Sequence, residues 1–198
     1  MRKDIRGYIS KYWRNIFLTF SRYFSTIICR ISASLKGINL GNSCRFYGLT
    51  YFHRSIDSKI IIGDNCTFRS SPISNLIGIN RKCIISTLSP NASISIGQRS
   101  GLSGTVIGAF KKISIGDKVL CGANTLITDG DWHLNDPRTS EAKEVYIHDN
   151  VWLGEGVKVM KGVAIGENTI IGAGSVVVKS IPANVIAAGN PCKVIKEL

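Results

Sequence analysis

An aliphatic residue recurs at every sixth position along one stretch of this chain: Ile147, Leu153, Val159, Ile165, Ile171 and Val177. Four residues after each stands a second small or branched residue: Val151, Val157, Val163, Thr169, Ser175 and Ile181. Strands alternate with a period of two and helices with a period of about 3.6, and neither gives this spacing over six repeats. A six-residue period fits a solenoid with three short flat strands per turn and a tight corner between strands. The corners agree, because Gly154-Glu155-Gly156, Gly166-Glu167-Asn168 and Gly172-Ala173-Gly174 supply the Gly and Asn that tolerate positive φ. Ile147–Ile181 therefore reads as about two triangular coils, each pairing mainly with its neighbours.

Upstream the pattern is fragmentary. Ile62-Gly63-Asp64-Asn65 followed by Cys66 and Phe68 is one clear repeat, whereas 47–57 and 70–80 are irregular and read as opening coils with slack corners. Regularity begins at Ile96-Gly97 and continues through Leu102, Ile107-Gly108, Ile115-Gly116-Asp117, Cys121 and Ile127. Ile96 to Ile115 is 19 residues, one coil plus a one-residue bulge. Ile127 to Ile147 is 20 residues where six would connect successive strands, so about 14 residues leave the wall near 133–146. That insertion is polar, contains Pro137, and sits on a rigid scaffold, where functional residues concentrate. Beyond Pro182, residues 183–198 read as a tail folded back over the last coil.

Residues 1–36 form a separate N-terminal segment, with the solenoid domain spanning 37–198. Large apolar residues from Ile5 to Ile31 recur at spacings of three, four and one, a helical stripe. The chain carries +12, of which this segment holds +7 (eight basic residues and Asp4), leaving +5 for the other 162 residues. No uncharged run is long enough to span a bilayer. Two readings stay open: a basic amphipathic helix lying in a membrane interface, or a helix capping the open end of the solenoid. The six cysteines show no metal-ligand spacing and read as reduced buried thiols.

The runs Val151-Trp152-Leu153-Gly154, Ile171–Pro182 and Ala187-Ala188-Gly189-Asn190-Pro191-Cys192-Lys193-Val194-Ile195, together with His133, resemble the hexapeptide-repeat acyltransferases. The likeness covers roughly residues 96–198 and is closest to the sugar O-acetyltransferases: the galactoside and maltose acetyltransferases and those of polysaccharide assembly. It implies that the all-β solenoid is a left-handed parallel β-helix, to which the residues themselves add the N-terminal amphipathic α-helix and one protruding loop. It implies an acetyl-CoA-dependent O-acetyltransferase acting on a saccharide hydroxyl, in polysaccharide, O-antigen or exopolysaccharide biosynthesis. His133 matches the catalytic general base, a role suited to an imidazole titrating near neutral pH. Asn124 matches the substrate-binding Asn and Trp152 an aromatic near the acceptor; beside these matches, Asp131 or a backbone carbonyl could hold the imidazole tautomer, and Asp131 could contact acceptor hydroxyls. Gly154, Glu155, Gly172 and Ala173 match backbone contacts to the pantetheine arm of CoA, and Lys179, Lys193 and Lys196 match cations near its phosphates. Glu155 and Val178 depart from the small and hydroxyl residues usual there.

By resemblance the CoA lies between subunits of a homotrimer, no metal is needed, and the location is cytoplasmic, at the inner membrane if the helix lies in an interface. Other functions give different expectations: an antibiotic or amine acceptor, a non-catalytic scaffold, or a zinc carbonic anhydrase, which lacks the required histidine pair on the coil wall. Nucleic acid is not an expected partner, because the basic residues are not interleaved with aromatics on sheet faces.

Overall fold

A computed structural model describes residues 4–133 and 136–198; Leu134 and Asn135 of the expected loop lie outside the described residues. The chain opens with α1 (Ile5–Leu35) and then winds through triangular coils. Coil one comprises β1 (Asn39–Leu40), β2 (Arg45–Tyr47) and β3 (Tyr51–His53), and coil two β4 (Lys59–Ile62), β5 (Thr67–Arg69) and β6 (Ile84–Thr87). Coil three has β7 (Ser93–Ile96), β8 (Gly101–Ser103) and β9 (Val106–Ala109); coil four has β10 (Lys112–Ile115), β11 (Leu120–Cys121) and β12 (Leu126–Thr128). Coil five has β13 (Val145–Ile147), β14 (Trp152–Leu153) and β15 (Lys158–Val159); coil six has β16 (Ala164–Ile165), β17 (Ile170–Ile171) and β18 (Val176–Val177). The hairpin β19 (Val185–Gly189) and β20 (Cys192–Glu197) ends the chain and adds to the second wall, β20 running antiparallel.

The first strands of all coils make one parallel sheet, the second strands another and the third strands a third, so the solenoid has three walls. Each wall carries an inward ladder: Ile62, Ile96, Ile115, Ile147 and Ile165 in the first; Phe46, Phe68, Leu102, Cys121, Leu153 and Ile171 in the second; Phe52, Ile85, Ile107, Ile127, Val159 and Val177 in the third. All are buried, and each large aliphatic contributes roughly 1.5–3 kcal/mol. Cys66 and Cys121 occupy inward positions as expected, and all six cysteines are buried and unpaired. Burial pushes the Cys121 thiol up to about 12 and that of Cys83 in the same direction, so neither offers a thiolate at neutral pH.

The irregular early segment folds as two full coils, with residues 70–83 leaving the corner between the second and third walls of coil two. The extra residue of coil three is a net of two changes: Ile107 to Ile115 spans eight residues where Val159 to Ile165 spans six, and Leu102 to Ile107 spans five where Leu153 to Val159 spans six. The expected corner residues adopt positive φ at Gly156, Asn168 and Gly174.

The helix both caps the solenoid and leaves its apolar stripe bare. Its buried residues are Ser25, Cys29 and Ala33, a small-residue line spaced by four that sits on coil one. Thr26 Oγ1 accepts the Phe46 N–H (3.1 Å), Cys29 Sγ accepts the Thr50 N–H (3.4 Å), and Arg30 donates to the Gly41 carbonyl (3.1 Å). Those are edge groups that would otherwise template pairing with another chain. At about 100° per residue, Trp13, Ile16, Phe20, Phe24 and Ile27 fall on the opposite face, and all are exposed.

Candidate active site

The wall breaks after Thr128, and the excursion 129–144 returns at β13. Its root is a buried carboxylate. Asp129 is fully buried and accepts N–H bonds from Phe110 (2.6 Å), Lys111 (2.8 Å) and Lys112 (2.6 Å), the corner of the preceding coil. The two legs are tied where the Lys143 N–H meets the Asp129 carbonyl (2.8 Å). Thr128 Oγ1 accepts from Trp132 Nε1 (3.2 Å), and the Trp132 ring stands edge-on to Phe110 with centroids 5.6 Å apart. The space is tight: a Cβ on Gly108 would come within 2.6 Å of the Trp132 ring, and one on Gly130 within 2.5 Å of the Phe110 ring. These contacts fix the chain up to the residue before His133, whose side chain is exposed.

The Asp131 carboxylate is engaged within the loop and the next coil. It pairs with Lys161 Nζ and accepts the Ser140 N–H (3.2 Å), and Lys161 also reaches Ser140 Oγ (2.7 Å). Hydrogen bonding from Lys161 lowers the Asp131 pKa. A depressed carboxyl keeps its interaction at neutral pH and loses it as pH falls through the lowered value, so acid frees this leg of the loop. Lys161 escapes a sequence reading; the register carries the signal, since Met160–Val163 is the next coil's copy of the corner the loop leaves. Arg138 pairs with Asp136 within the loop.

The other expected residues divide among separate places. Asn124 (φ +61°), Gly154, Glu155, Gly172 and Ala173 stack at the corner between the second and third walls. There a Cβ on Gly122 would lie 2.6 Å from the Gly154 carbonyl carbon, and one on Gly154 2.6 Å from the Ala173 nitrogen, so glycine is required by close coil approach. The Asn124 amide is engaged internally: Nδ2 donates to the Gly78 carbonyl (2.7 Å) and Oδ1 accepts the Asn80 N–H (3.1 Å), holding the 70–83 excursion. Glu155 contributes its carbonyl to the Gly174 N–H (2.7 Å). Trp152 is half-exposed on the outer face of the second wall, between Leu120 and Ile170 of adjacent coils. Lys179 is exposed after β18, whereas Lys193 and Lys196 are exposed on β20 of the second wall. His133 and Asp131 lie between the third and first walls, whereas the glycine column lies between the second and third walls and Trp152 on the second. His148 is exposed, as its outward position predicts, and His53 is exposed on coil one. No group of three or more His, Cys, Asp or Glu able to hold a metal ion occurs among the described residues.

A triangular parallel β-helix with one wall-breaking loop and a column of corner glycines defines the class, a hexapeptide-repeat protein. Residues 144–179 match the bacterial transferase hexapeptide model of six repeats. The chain is 47% identical over 90 residues to the galactoside O-acetyltransferase of Lactococcus lactis, covering 43% of this chain and 44% of that protein. It thus spans less than half the length of that relative. A maltose O-acetyltransferase structure from Clostridium difficile superposes with a TM-score of 0.51 at 26% identity, over 91% of this chain and 88% of that one. A Vibrio cholerae hexapeptide-repeat acetyltransferase complexed with acetyl-CoA shares the fold (TM-score 0.54, 22% identity, 84% of this chain and 73% of that one). Residues 144–179 are thus similar to the hexapeptide-repeat transferases, and the chain shares the fold of the solved acetyltransferases.

Proposed function

We propose that the protein is an acetyl-CoA-dependent O-acetyltransferase that acetylates a saccharide hydroxyl in polysaccharide, O-antigen or exopolysaccharide assembly. The observation that carries the proposal is a loop rooted by a buried, triply bonded carboxylate that presents an exposed His133. The acetyltransferase names of the galactoside and maltose relatives support the reaction class. His133 accepts the proton of the acceptor hydroxyl as its oxygen attacks the thioester carbonyl. The tetrahedral intermediate then collapses, the C–S bond breaks, and the imidazolium returns the proton to the departing CoA thiolate. A backbone N–H at the glycine corner stabilises the oxyanion, a contribution of about 3–4 kcal/mol in enzymes that use such donors. Gly154, Glu155, Gly172 and Ala173 line the pantetheine arm, with Lys179, Lys193 and Lys196 toward the phosphates. His133 and the glycine column flank opposite edges of the third wall, so a complete site takes one corner from each of two copies, which supports a homotrimer.

The test uses the corner. Ala173→Trp fills the exposed path of the pantetheine arm and is expected to weaken acetyl-CoA binding at least tenfold, measured by titration calorimetry, with thermal unfolding unchanged. Mixing this variant with His133→Ala and reassembling the subunits is expected to regain turnover, because mixed assemblies contain sites with both intact corners. Native acetyl-CoA affinity in Ala173→Trp would place the cofactor elsewhere, and a mixture as inactive as its components would confine the site to one chain.

The bare apolar stripe of α1 supports a peripheral position at the cytoplasmic face of the inner membrane. No helix among the described residues is long and apolar enough to cross a membrane. Trp13→Glu combined with Phe17→Glu is expected to abolish co-flotation with anionic liposomes while thermal unfolding stays native, since both side chains face away from the solenoid. Equal flotation of variant and native protein would refute membrane contact through this face.

A further inference from the structure

Five arginines line two adjoining hollows between the helix and the second wall. Arg14, Arg22 and Arg69 line a hollow of about 670 Å³ under α1. Arg69, Arg45 and Arg99 line the next, of about 750 Å³, on the outer face of the second wall. Arg69 belongs to both. Among the described residues no Asp or Glu lines either hollow, and none of these arginines takes part in an ion pair. Clustering like charges without a counter-charge is unfavourable in itself and is retained where an anion supplies the balance.

Two further observations point to a ligand. Arg14 Nε is buried without a hydrogen-bond partner, a costly state for a charged donor, although its Nη2 reaches the Ile73 carbonyl at 3.3 Å. Arg69 is held in place, donating to the Ser74 carbonyl at 2.6 Å with its guanidinium 4.8 Å from the Tyr47 ring centre. A fixed guanidinium fork matches phosphate oxygens in a way a lysine does not. At the far end of the second hollow stands Trp152, a half-exposed aromatic face beside the arginines.

We infer that this double hollow binds the phosphate or pyrophosphate of a glycosyl phosphate, with the sugar at the Trp152 end. The inference rests on the saccharide-acceptor reading and adds to it that the acceptor is anionic and phosphate-linked. Such a group comes from a nucleotide-linked sugar in solution or from a lipid-linked sugar at a membrane.

Titration calorimetry of the full chain with inorganic pyrophosphate at low salt tests the site directly. Saturable binding is expected, weakened at least tenfold in Arg45→Gln/Arg99→Gln and in Arg14→Gln/Arg22→Gln, and weakened again by added salt. Among the described residues the Arg45 and Arg99 side chains donate no hydrogen bond, so that pair reports on binding even if the Arg14/Arg22 pair unfolds the helix contact. Two more titrants separate the sources: a nucleotide diphosphate sugar, and a sugar linked through pyrophosphate to a short prenyl chain in mixed micelles. Tighter binding of either than of pyrophosphate supports the site and names its source. Absence of pyrophosphate binding, undiminished binding in the Arg45/Arg99 variant, or loss of acetyl-CoA binding in that variant would overturn the inference, the last by making the hollow part of the CoA site. None of these readouts needs turnover, so a protein that binds pyrophosphate but transfers no acetyl group would refute the proposed reaction and leave the anion site standing.

Discussion

Replacing His133 by Ala is expected to lower acetyl transfer by ~10²–10⁴-fold, the usual contribution of a positioned general base. The His133 side chain is exposed, so the change costs stability no more than about 0.5 kcal/mol. The loss falls on kcat and kcat/KM together, because proton removal is needed only in the transition state. Affinity for acetyl-CoA, measured separately by calorimetry, stays native. An unchanged turnover rate would remove His133 from the mechanism.

Asp129→Ala is expected to destabilise the protein by about 3–5 kcal/mol, through a different route. The substitution leaves the Phe110, Lys111 and Lys112 N–H groups buried without an acceptor, each costing roughly 1–3 kcal/mol less whatever relaxation recovers. It also unfastens the loop root, so turnover falls even under conditions where the β-helix remains folded. Asp129→Asn is expected to cost less than Ala but still to destabilise, since the amide keeps one acceptor oxygen and turns its NH2 toward at least one of the three N–H donors. Urea unfolding followed by circular dichroism reads the stability change as a shifted midpoint at constant slope. A native midpoint for both variants would show that the carboxylate does not hold the corner.

The six-residue period made the later coils legible because each inward position there is a branched aliphatic at an unvarying interval, from Ile147 to Val177. The first two coils were harder to read. Their ladders use Phe46, Phe52 and Phe68, and their corners vary in length, so the same architecture lacks a regular interval. The wall break was legible from the distance between Ile127 and Ile147, but its root was not: Asp129 looks like any loop acid until the register sets it against the corner at Phe110–Lys112. Nor does any local pattern announce the pairing of Asp131 with Lys161, 30 positions later in the chain and one coil on. The bonds of the Asn124 amide to Gly78 and Asn80 of the 70–83 excursion are equally hidden. These contacts are hidden for one reason, since pairing between coils brings together residues that no local pattern connects.

The helix shows the same limit in another form. Its apolar stripe was plain in the sequence, and a stripe that large ordinarily faces a core. The end of a β-helix instead presents strand edges that need polar partners at short range, so Ser25, Thr26 and Cys29 face inward and the aromatics are left outside.

The most direct measurement is free-thiol release from acetyl-CoA by the purified full chain, with and without a panel of saccharides and glycosyl phosphates, for native protein and His133→Ala side by side. The proposed function predicts thiol release that depends on a saccharide acceptor, is accompanied by an acetylated saccharide in the mass spectrum, and is lost in the variant. Acetyl-CoA that is neither bound nor consumed in the presence of any acceptor would contradict it and leave the β-helix as a scaffold.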